Sequence, residues 1–412
     1  MRVYLVGGAV RDRLLGLAVR ERDWVVVGAT AQELERLGYQ PVGREFPVFL
    51  HPATHEEYAL ARLERKVAPG YRGFTTQSSP EVTLEEDLRR RDLTINAMAE
   101  SETGELIDPF GGRADLDARL LRHVSESFVE DPVRVLRAAR FAARFAAQGF
   151  RVADETLALM GRMSASGELA ALVPERVWQE TERALGEAHP EVYFETLRAC
   201  GALKVIFPEI ESLFGVPQPP RWHPEIDTGV HVMLALHYAA ANGASAAARF
   251  AVLTHDLGKA LTPRERWPSH SGHEAAGVRL IEALCARLRV PGAHRELGIL
   301  AAREHTRVHR ALELRPETVL GLLEECDAFR RPERFAELLQ ACEADARGRT
   351  GMQDVSYPQA QYLRTALGAA AAVTLAESER QGLTGPRVGE EIRRRRLAAI
   401  TAVKAAAGTS ES

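Results

Sequence analysis

Three groups of residues have the types and spacing to do chemistry. Near the N-terminus, Gly7-Gly8 follows the apolar run VYLV and precedes Ala9-Val10-Arg11-Asp12. A glycine pair between a strand and a helix removes side chains, so a triphosphate can lie against backbone N–H groups at the helix start, with Arg11 reaching the same anion. A plain turn uses the same glycines, so the pair is a weak signal alone. Glu21-Arg22-Asp23 then leads into WVVVG. Residues two apart on a strand face the same way, so Glu21 and Asp23 could share one or two hard divalent cations, although a solvated acidic strand entrance reads the same. Magnesium bridging triphosphate oxygens there would stabilise the attacking and leaving oxygens of an in-line phosphoryl displacement.

The second group is EDPVRVLRAARF, residues 130–141. Asp131 can accept from an exocyclic amine and Arg134 can donate to ring nitrogens or carbonyls, so together they can pair with cytosine or adenine and mismatch guanine and uracil. Arg134, Arg137 and Arg140 recur at three-residue spacing along one helical side, which would put base recognition and triphosphate contacts on one surface. A solvated basic face of an amphipathic helix is the ordinary alternative.

The third group is His255-Asp256-Leu257-Gly258-Lys259. With 13 histidines in the chain, one His-Asp pair arises readily by chance; what raises it is the company of His231 upstream and of His270, His273, His305, His309 and Asp345 downstream. Imidazole and carboxylate ligands from different helices can hold a divalent transition metal in a bundle, with a bound water as nucleophile. For His270, His273 and His309, surface or core histidine is an equally good reading.

These groups need elements to hold them. Residues 1–125 carry the strand-like runs VYLVGG (3–8), WVVVG (24–28), VFLHP (48–52) and YALARLE (58–64). A helix is expected from Gly8 to Leu15, ending at Gly16, and another after Thr83 through LEEDLRRRDLTINAMA. From Asp131 onward the texture is alanine, leucine and arginine at helical spacing, beginning with PVRVLRAARFAARFAA (132–147), with breaks at VPQPPRWHPE (216–225), RRPE (330–333) and SYP (356–358). The small, polar KAAAGTSES at the end reads as disordered.

A length of 412 residues predicts two to three domains. No apolar stretch approaches the ~20 residues that span a bilayer, and the N-terminus lacks a signal-peptide pattern, so a cytoplasmic protein without membrane association is expected. All but four of the 53 basic residues are arginine, which suits bidentate phosphate and base-edge recognition even at a net charge of −4. Cys200, Cys285, Cys326 and Cys342 stand far apart, which fits reduced core thiols and makes a disulfide framework or zinc knuckle unexpected.

GG-x-x-R-D followed by an acidic pair resembles the nucleotidyltransferase head of the DNA polymerase β superfamily. RRDLTINAMA (90–99), EDPVRVLRAARF, HEEYALARLERK (55–66) and HPEIDTGVH (223–231) are similar to class II tRNA nucleotidyltransferases, the CCA-adding enzymes, and the resemblance is closest to bacterial CCA-adding proteins with an HD domain. It covers essentially the whole chain. It implies an α+β nucleotidyltransferase head at 1–125, a helical neck and RNA-binding body at 126–215, an HD phosphohydrolase domain at 216–348, and a helical tail with a disordered end at 349–412. The activity implied is addition of CTP, CTP and ATP to the 3′ end of tRNA without a nucleic-acid template. Glu21 and Asp23 then hold Mg²⁺, and Gly8, Arg11, Arg91, Asp131, Arg134, Arg137 and Arg140 bind the nucleotide; Asp92 and Asn96 fix local structure.

The HD pattern of an early His, a His-Asp pair and a late Asp maps onto His231, His255, Asp256 and Asp345. His255 and Asp256 are its catalytic pair, and the implied activities are phosphatase, 2′-nucleotidase and 2′,3′-cyclic phosphodiesterase, with Ni²⁺ as the implied metal. Arg393 to Arg396 are a candidate tRNA phosphate contact, and the expected partners are tRNA, ATP and CTP, with the protein a monomer or homodimer. A poly(A) polymerase, an HD phosphohydrolase with an impaired head, and a non-catalytic tRNA-binding protein are the alternatives.

One position departs from the family pattern, which has Asp-x-Asp where this chain has Glu21-Arg22-Asp23. The extra methylene moves the carboxylate by about 1.5 Å, and Mg²⁺ tolerates little departure from octahedral geometry. Glu21→Asp should therefore raise the turnover of nucleotide addition in single-turnover kinetics; an unchanged rate rejects the geometric argument.

Overall fold

Successive valines at 25–27 point to opposite faces of a sheet, and that alternation organises the N-terminal part of the chain. The computed structural model describes every residue except 20, 43–47, 67–73, 378–384 and 409–412. Its first elements are β1 (Arg2–Val6), α1 (Gly8–Leu14), β2 (Asp23–Val27), α2 (Ala31–Arg36), β3 (Gln40–Val42), β4 (Val48–Leu50), β5 (Glu57–Leu60), β6 (Arg62–Lys66), β7 (Phe74–Ser78), α3 (Leu84–Arg89), β8 (Ala99–Ser101) and β9 (Leu106–Ile107). Seven strands form one sheet in the order β3-β4-β5-β2-β1-β8-β9, with β2 and β5 parallel and the other neighbours antiparallel. Val25 and Val27 pack with Tyr4, Val6, Leu88 and Ala99 on one face, while Val26 packs with Leu34, Phe49, Tyr58 and Leu60 on the other.

Helices then dominate: α4 (Gly112–Ala118), the short β10 (Leu120–Leu121), α5 (Val133–Phe145), β11 (Arg151–Val152), α6 (Asp154–Ala165), α7 (Pro174–Leu185), α8 (Pro190–Ala199) and α9 (Leu203–Ile206). The chain divides into two compact units, one of Met1–Ala184 and Val192–Ile206, the other of Leu185–Glu191 and Phe207–Ser412. The second unit is helical: α10 (Pro208–Glu211), α11 (Thr228–Ala241), α12 (Ala246–Thr254), α13 (His273–Leu288), α14 (Gly292–His309), α15 (Pro316–Glu325), α16 (Pro332–Arg347), α17 (Pro358–Ala371) and α18 (Gly385–Gly408). This is an α+β head followed by helical parts, as expected from the sequence. Among the described residues no helix is long and apolar enough to cross a membrane.

Three local expectations are corrected. The helix expected to run from Thr83 through Ala99 stops at Arg89. Beyond it the Thr94 N–H donates to the Arg122 carbonyl at 2.9 Å, so the segment forms a short helical turn at Thr94–Asn96 and then joins the sheet as β8. YALARLE is not one strand: the Ala61 N–H still donates to Val26, but the Arg62 N–H turns to the Asp87 carboxylate, so β6 leaves the main sheet to pair with β7. The tail expected to be disordered is helical to Gly408, where α18 ends, and Lys404 Nζ donates to the Leu314 carbonyl; 409–412 lie outside the described residues.

Candidate functional site

In the first unit, the register of β1 against β2 pairs Val6 with Asp23, so the glycine turn that follows Val6 adjoins the acidic segment. Gly7 has φ +68°, so its backbone conformation calls for glycine, and the Arg91 guanidinium lies against it, Nη1 2.9 Å from where a Cβ would stand. Asp23 opens β2, whereas Glu21 lies two residues before it, so strand alternation does not place Glu21 as the sequence argument assumed. Desolvation of its carboxyl raises the pKa of Asp23, the nearby Glu21 charge pushes the same way, and the Arg91 charge opposes both. Two carboxylates that repel each other in this way are a donor set suited to a hard divalent cation.

Behind this corner lies a buried polar network. Asp92 accepts from its neighbour Leu93 N–H at 2.8 Å, from Asn96 Nδ2 at 3.0 Å and from Arg137 Nε at 2.8 Å. Burial alone would push the Asp92 carboxyl up, but Arg137 and these donors hold it well below the usual carboxylate range. Asn96 Oδ1 in turn accepts from Arg11, whose buried guanidinium also bonds Asp12 and sits over the rings of Phe141 and Phe145. Arg140 Nε donates to Glu180 on α7 at 2.5 Å, and Arg144 to Asp12 at 2.9 Å.

The arginines of α5 are therefore not a solvated basic face: Arg134 and Arg140 are buried. Arg134 donates to the carbonyls of Ser127 and Arg90, each at 2.6 Å, which uses two of its five N–H groups. Asp131 accepts both arms of Arg176 on α7, at 3.1 and 2.8 Å, and also accepts from the Val133 N–H at the start of α5. Glu180 and Arg176 had no sequence signal, because a lone charged residue on an amphipathic helix reads as surface. Arg393, Arg394 and Arg395 are held by Glu324 and Glu391, and Arg396 lies over the Phe329 ring.

In the second unit, His231, His255, Asp256 and Asp345 come together from α11, the end of α12 and α16. His231 Nε2 lies 3.0 Å from Asp345 Oδ1, and His255 Nε2 lies 3.2 Å from Asp256 Oδ2 and 3.5 Å from Asp345 Oδ2. Close approach of α13 to the turn after Asp256 makes this possible, since a Cβ on Gly258 would fall 1.9 Å from the His273 carbonyl oxygen. On α13 and α14, His273 Nε2 is 3.5 Å from Asp256 Oδ1, His305 Nε2 is 3.8 Å from it, and His309 Nε2 is 2.6 Å from Asp345 Oδ2, so His273 and His309, for which surface or core was an equal reading, join His305 at the two aspartates. His270 instead bonds the Pro217 carbonyl.

The rings are aimed. His255, His273 and His305 each donate Nδ1–H to a backbone carbonyl, of Val252, His270 and Ala301, which turns Nε2 inward. Glu225, missed by sequence although it sits within HPEIDTGVH, lies 2.9 Å from His231 Nδ1. Lys259 Nζ bonds Asp256 Oδ2 at 2.7 Å and Gln218 at 2.6 Å. Burial disfavours the charged form of His255, yet Asp256 and Asp345 push its pKa up to about 8, while burial and the His255 charge take His305 down to about 3. Among the described residues, His255 Nε2 and Asp256 Oδ1 are buried without a hydrogen-bond partner. Orphaned imidazole and carboxylate atoms facing one another, with their outer atoms anchored, fit a divalent transition metal.

The family "Poly A polymerase head domain" matches residues 3–122, "Probable RNA and SrmB- binding site of polymerase A" matches 149–214, and "HD domain" matches 229–346. The chain is 66% identical over 405 residues to a multifunctional CCA protein of Thioalkalivibrio sulfidiphilus, covering 98% of this chain and 99% of that one. A Nitrosococcus oceani protein of the same name is 61% identical, with 97% and 98% covered. A CCA-adding enzyme solved in complex with CTP shares the fold at a TM-score of 0.65 and 22% identity, covering 97% of this chain and 87% of that one.

The Asp92 network carries a stability prediction. Asp92→Asn leaves Arg137 with Glu180 alone and should cost about 3 kcal/mol, the low end for breaking a buried ion pair. Urea unfolding followed by circular dichroism measures it, and a loss within error of zero would show that the network is not holding α5 against the head.

Proposed function

Because this chain belongs to the multifunctional CCA protein family, we propose that it adds CTP, CTP and ATP in order to the 3′ end of tRNA, and that its HD unit hydrolyses phosphate esters at damaged tRNA ends. The observation that carries the first activity is the corner where Asp23, Gly7 and Arg91 adjoin, backed by the Asp92 network. The primer's terminal 3′-hydroxyl attacks the α-phosphorus and diphosphate leaves. Glu21 and Asp23 would hold Mg²⁺, which when bound supplies charge stabilisation at the transferring phosphoryl group. Gly8 offers backbone N–H to the triphosphate. Arg11 reaches the same anion by exchanging its Asp12 or Asn96 partner, and Arg91 guides the nucleotide beside Gly7. Asp131 and Arg134 read the base through the capacity left by Arg176 and by the two carbonyls, and Arg137 and Arg140 hold that helix surface in place. Catalysis then rests on positioning more than on a dedicated base.

The second activity rests on the orphaned His255 Nε2 and Asp256 Oδ1. His231, His255, Asp256 and Asp345 would hold a divalent transition metal, nickel in this reading, which when bound supplies Lewis-acid chemistry and a nucleophilic water. His273 and His305, beside Asp256, extend the donor set. Lys259 holds the Asp256 carboxylate in place through Oδ2, and Glu225, beside Nδ1, orients the His231 ring. Phosphatase, 2′-nucleotidase and 2′,3′-cyclic phosphodiesterase activities would clear ends that block nucleotide addition, and tRNA, ATP and CTP are the partners. The reading also takes 1–125 as head, 126–215 as neck and body, 216–348 as HD domain and 349–412 as tail, in a cytoplasmic enzyme.

Incubation with Mg²⁺, CTP and ATP on tRNA ending at its discriminator base should give three added nucleotides and stop. Long A-tails would mean a poly(A) polymerase, and no extension beside intact hydrolysis of a 2′,3′-cyclic phosphate would mean a silent head. His255→Ala or Asp256→Asn should lower that hydrolysis by at least ~100-fold, more than loss of an outer-shell partner, with CCA addition intact; unchanged hydrolysis rejects the HD assignment.

A further inference from the structure

A second set of imidazole and carboxylate groups stands elsewhere in the helical unit. His189 and Glu191, in the segment Leu185–Glu191, face His237 on α11. His189 Nδ1 lies 3.1 Å from Glu191 Oε1, and His237 Nδ1 lies 2.8 Å from the same oxygen. The two imidazole rings stack with centroids 5.3 Å apart and planes 28° from parallel, so both present Nδ1 to one point. Glu191 is only 9% exposed, and its second oxygen, Oε2, is buried without a hydrogen-bond partner among the described residues. A buried carboxylate oxygen with no donor is costly, and a cation is the simplest group that satisfies it.

From this cluster we propose a divalent transition-metal site made of His189 Nδ1, His237 Nδ1 and the Glu191 carboxylate, separate from the site around His255. Two imidazoles and one carboxylate suit Zn²⁺, Ni²⁺, Co²⁺ or Cu²⁺ and suit Mg²⁺ or Ca²⁺ poorly. Ligand atoms about 2.0–2.2 Å from a tetrahedral ion are about 3.3 Å from one another, so the observed separations need to open by only a few tenths of an ångström. The site is pre-built by Arg249, whose buried guanidinium donates to the carbonyls of Leu185 at 2.6 Å, Glu187 at 2.7 Å and Ala244 at 2.8 Å. Those bonds fix the segment carrying His189 and Glu191 against α12, while His237, exposed at the surface of α11, leaves the ion a path in and a position for water. Bound metal would clamp the segment 185–191 onto α11. This inference does not depend on the function proposed for either unit.

Equilibrium dialysis of the full chain against Co²⁺ alone, with bound metal counted by mass spectrometry, tests it. The unsubstituted protein should hold one equivalent more than His237→Ala, and one more than Glu191→Gln, at the same free Co²⁺. Both substitutions leave the His255 site untouched, so its occupancy cancels in the difference. His189→Ala, in a half-buried loop position, provides a third comparison should either variant fail to show the far-UV spectrum of the folded chain. Extended X-ray absorption of the extra equivalent should show two imidazoles and an oxygen donor. Equal Co²⁺ stoichiometry in the unsubstituted protein and the folded variants would overturn the site and leave a hydrogen-bonded His-Glu-His group.

Discussion

A carboxylate buried inside a protein must find its counter-charge, and Asp92 meets that requirement in a way on which the head depends. Its partners are its own neighbour's N–H, Asn96 within the same short turn, and Arg137 from α5. Removing two charges from water costs several kcal/mol per ion before their attraction offsets it, so such a pair contributes less to net stability than to geometry. The geometry here is specific. Asn96, held by Asp92, receives Arg11 from the helix that follows Gly7-Gly8, and Arg91, one residue before Asp92, lies against Gly7. Shifting Asp92 would shift the glycine turn, the Asp23 corner and α5 together.

The helical unit handles buried charge in the opposite way. Around Asp256 and Asp345 the outer atoms are satisfied: Lys259 and Gln218 on one side, backbone carbonyls behind His255, His273 and His305, Tyr357 behind His309. Inward, Nε2 of His255 and Oδ1 of Asp256 have no hydrogen-bond partner among the described residues. The network of the head closes on itself, whereas this one ends in atoms that point at a common space. That difference separates a positioning network from a binding site, because preorganised and unsatisfied donors gain most from an incoming cation.

Much of this was legible from residue types and order. The glycine pair, the arginine helix and the His-Asp pair sit on the elements their spacing indicated, whereas Glu21 falls before the strand that Asp23 opens, and Pro332 and Pro358 mark helix starts as prolines at breaks should. The four cysteines are buried thiols, and desolvation pushes Cys285 and Cys326 up to about 12. What failed were inferences that treated a segment as isolated. Helical spacing over LEEDLRRRDLTINAMA was real, yet Thr94 and Ala99 found better backbone partners in Arg122 and in β1. The solvated face that stood as the ordinary alternative for arginines at three-residue spacing does not form, because Asp92 and Glu180 arrive from 45 and 40 residues away to hold Arg137 and Arg140.

Chain order and side-chain chemistry alone determined the class of this protein, an α+β head joined to helical parts, and the groups able to do its chemistry, because local patterning and motif spacing are properties of short segments. Only the tertiary structure decided which of those groups face one another and which are already engaged. Asp131 is taken by Arg176, Glu225 stands behind His231, and His273, His305 and His309 are turned toward the two aspartates. Apart from Glu225 with His231, these pairings span 17 to 49 residues of chain. They are set by how helices pack, as where Gly258 lets α13 close on the turn after Asp256, and that packing leaves no local signature in the sequence.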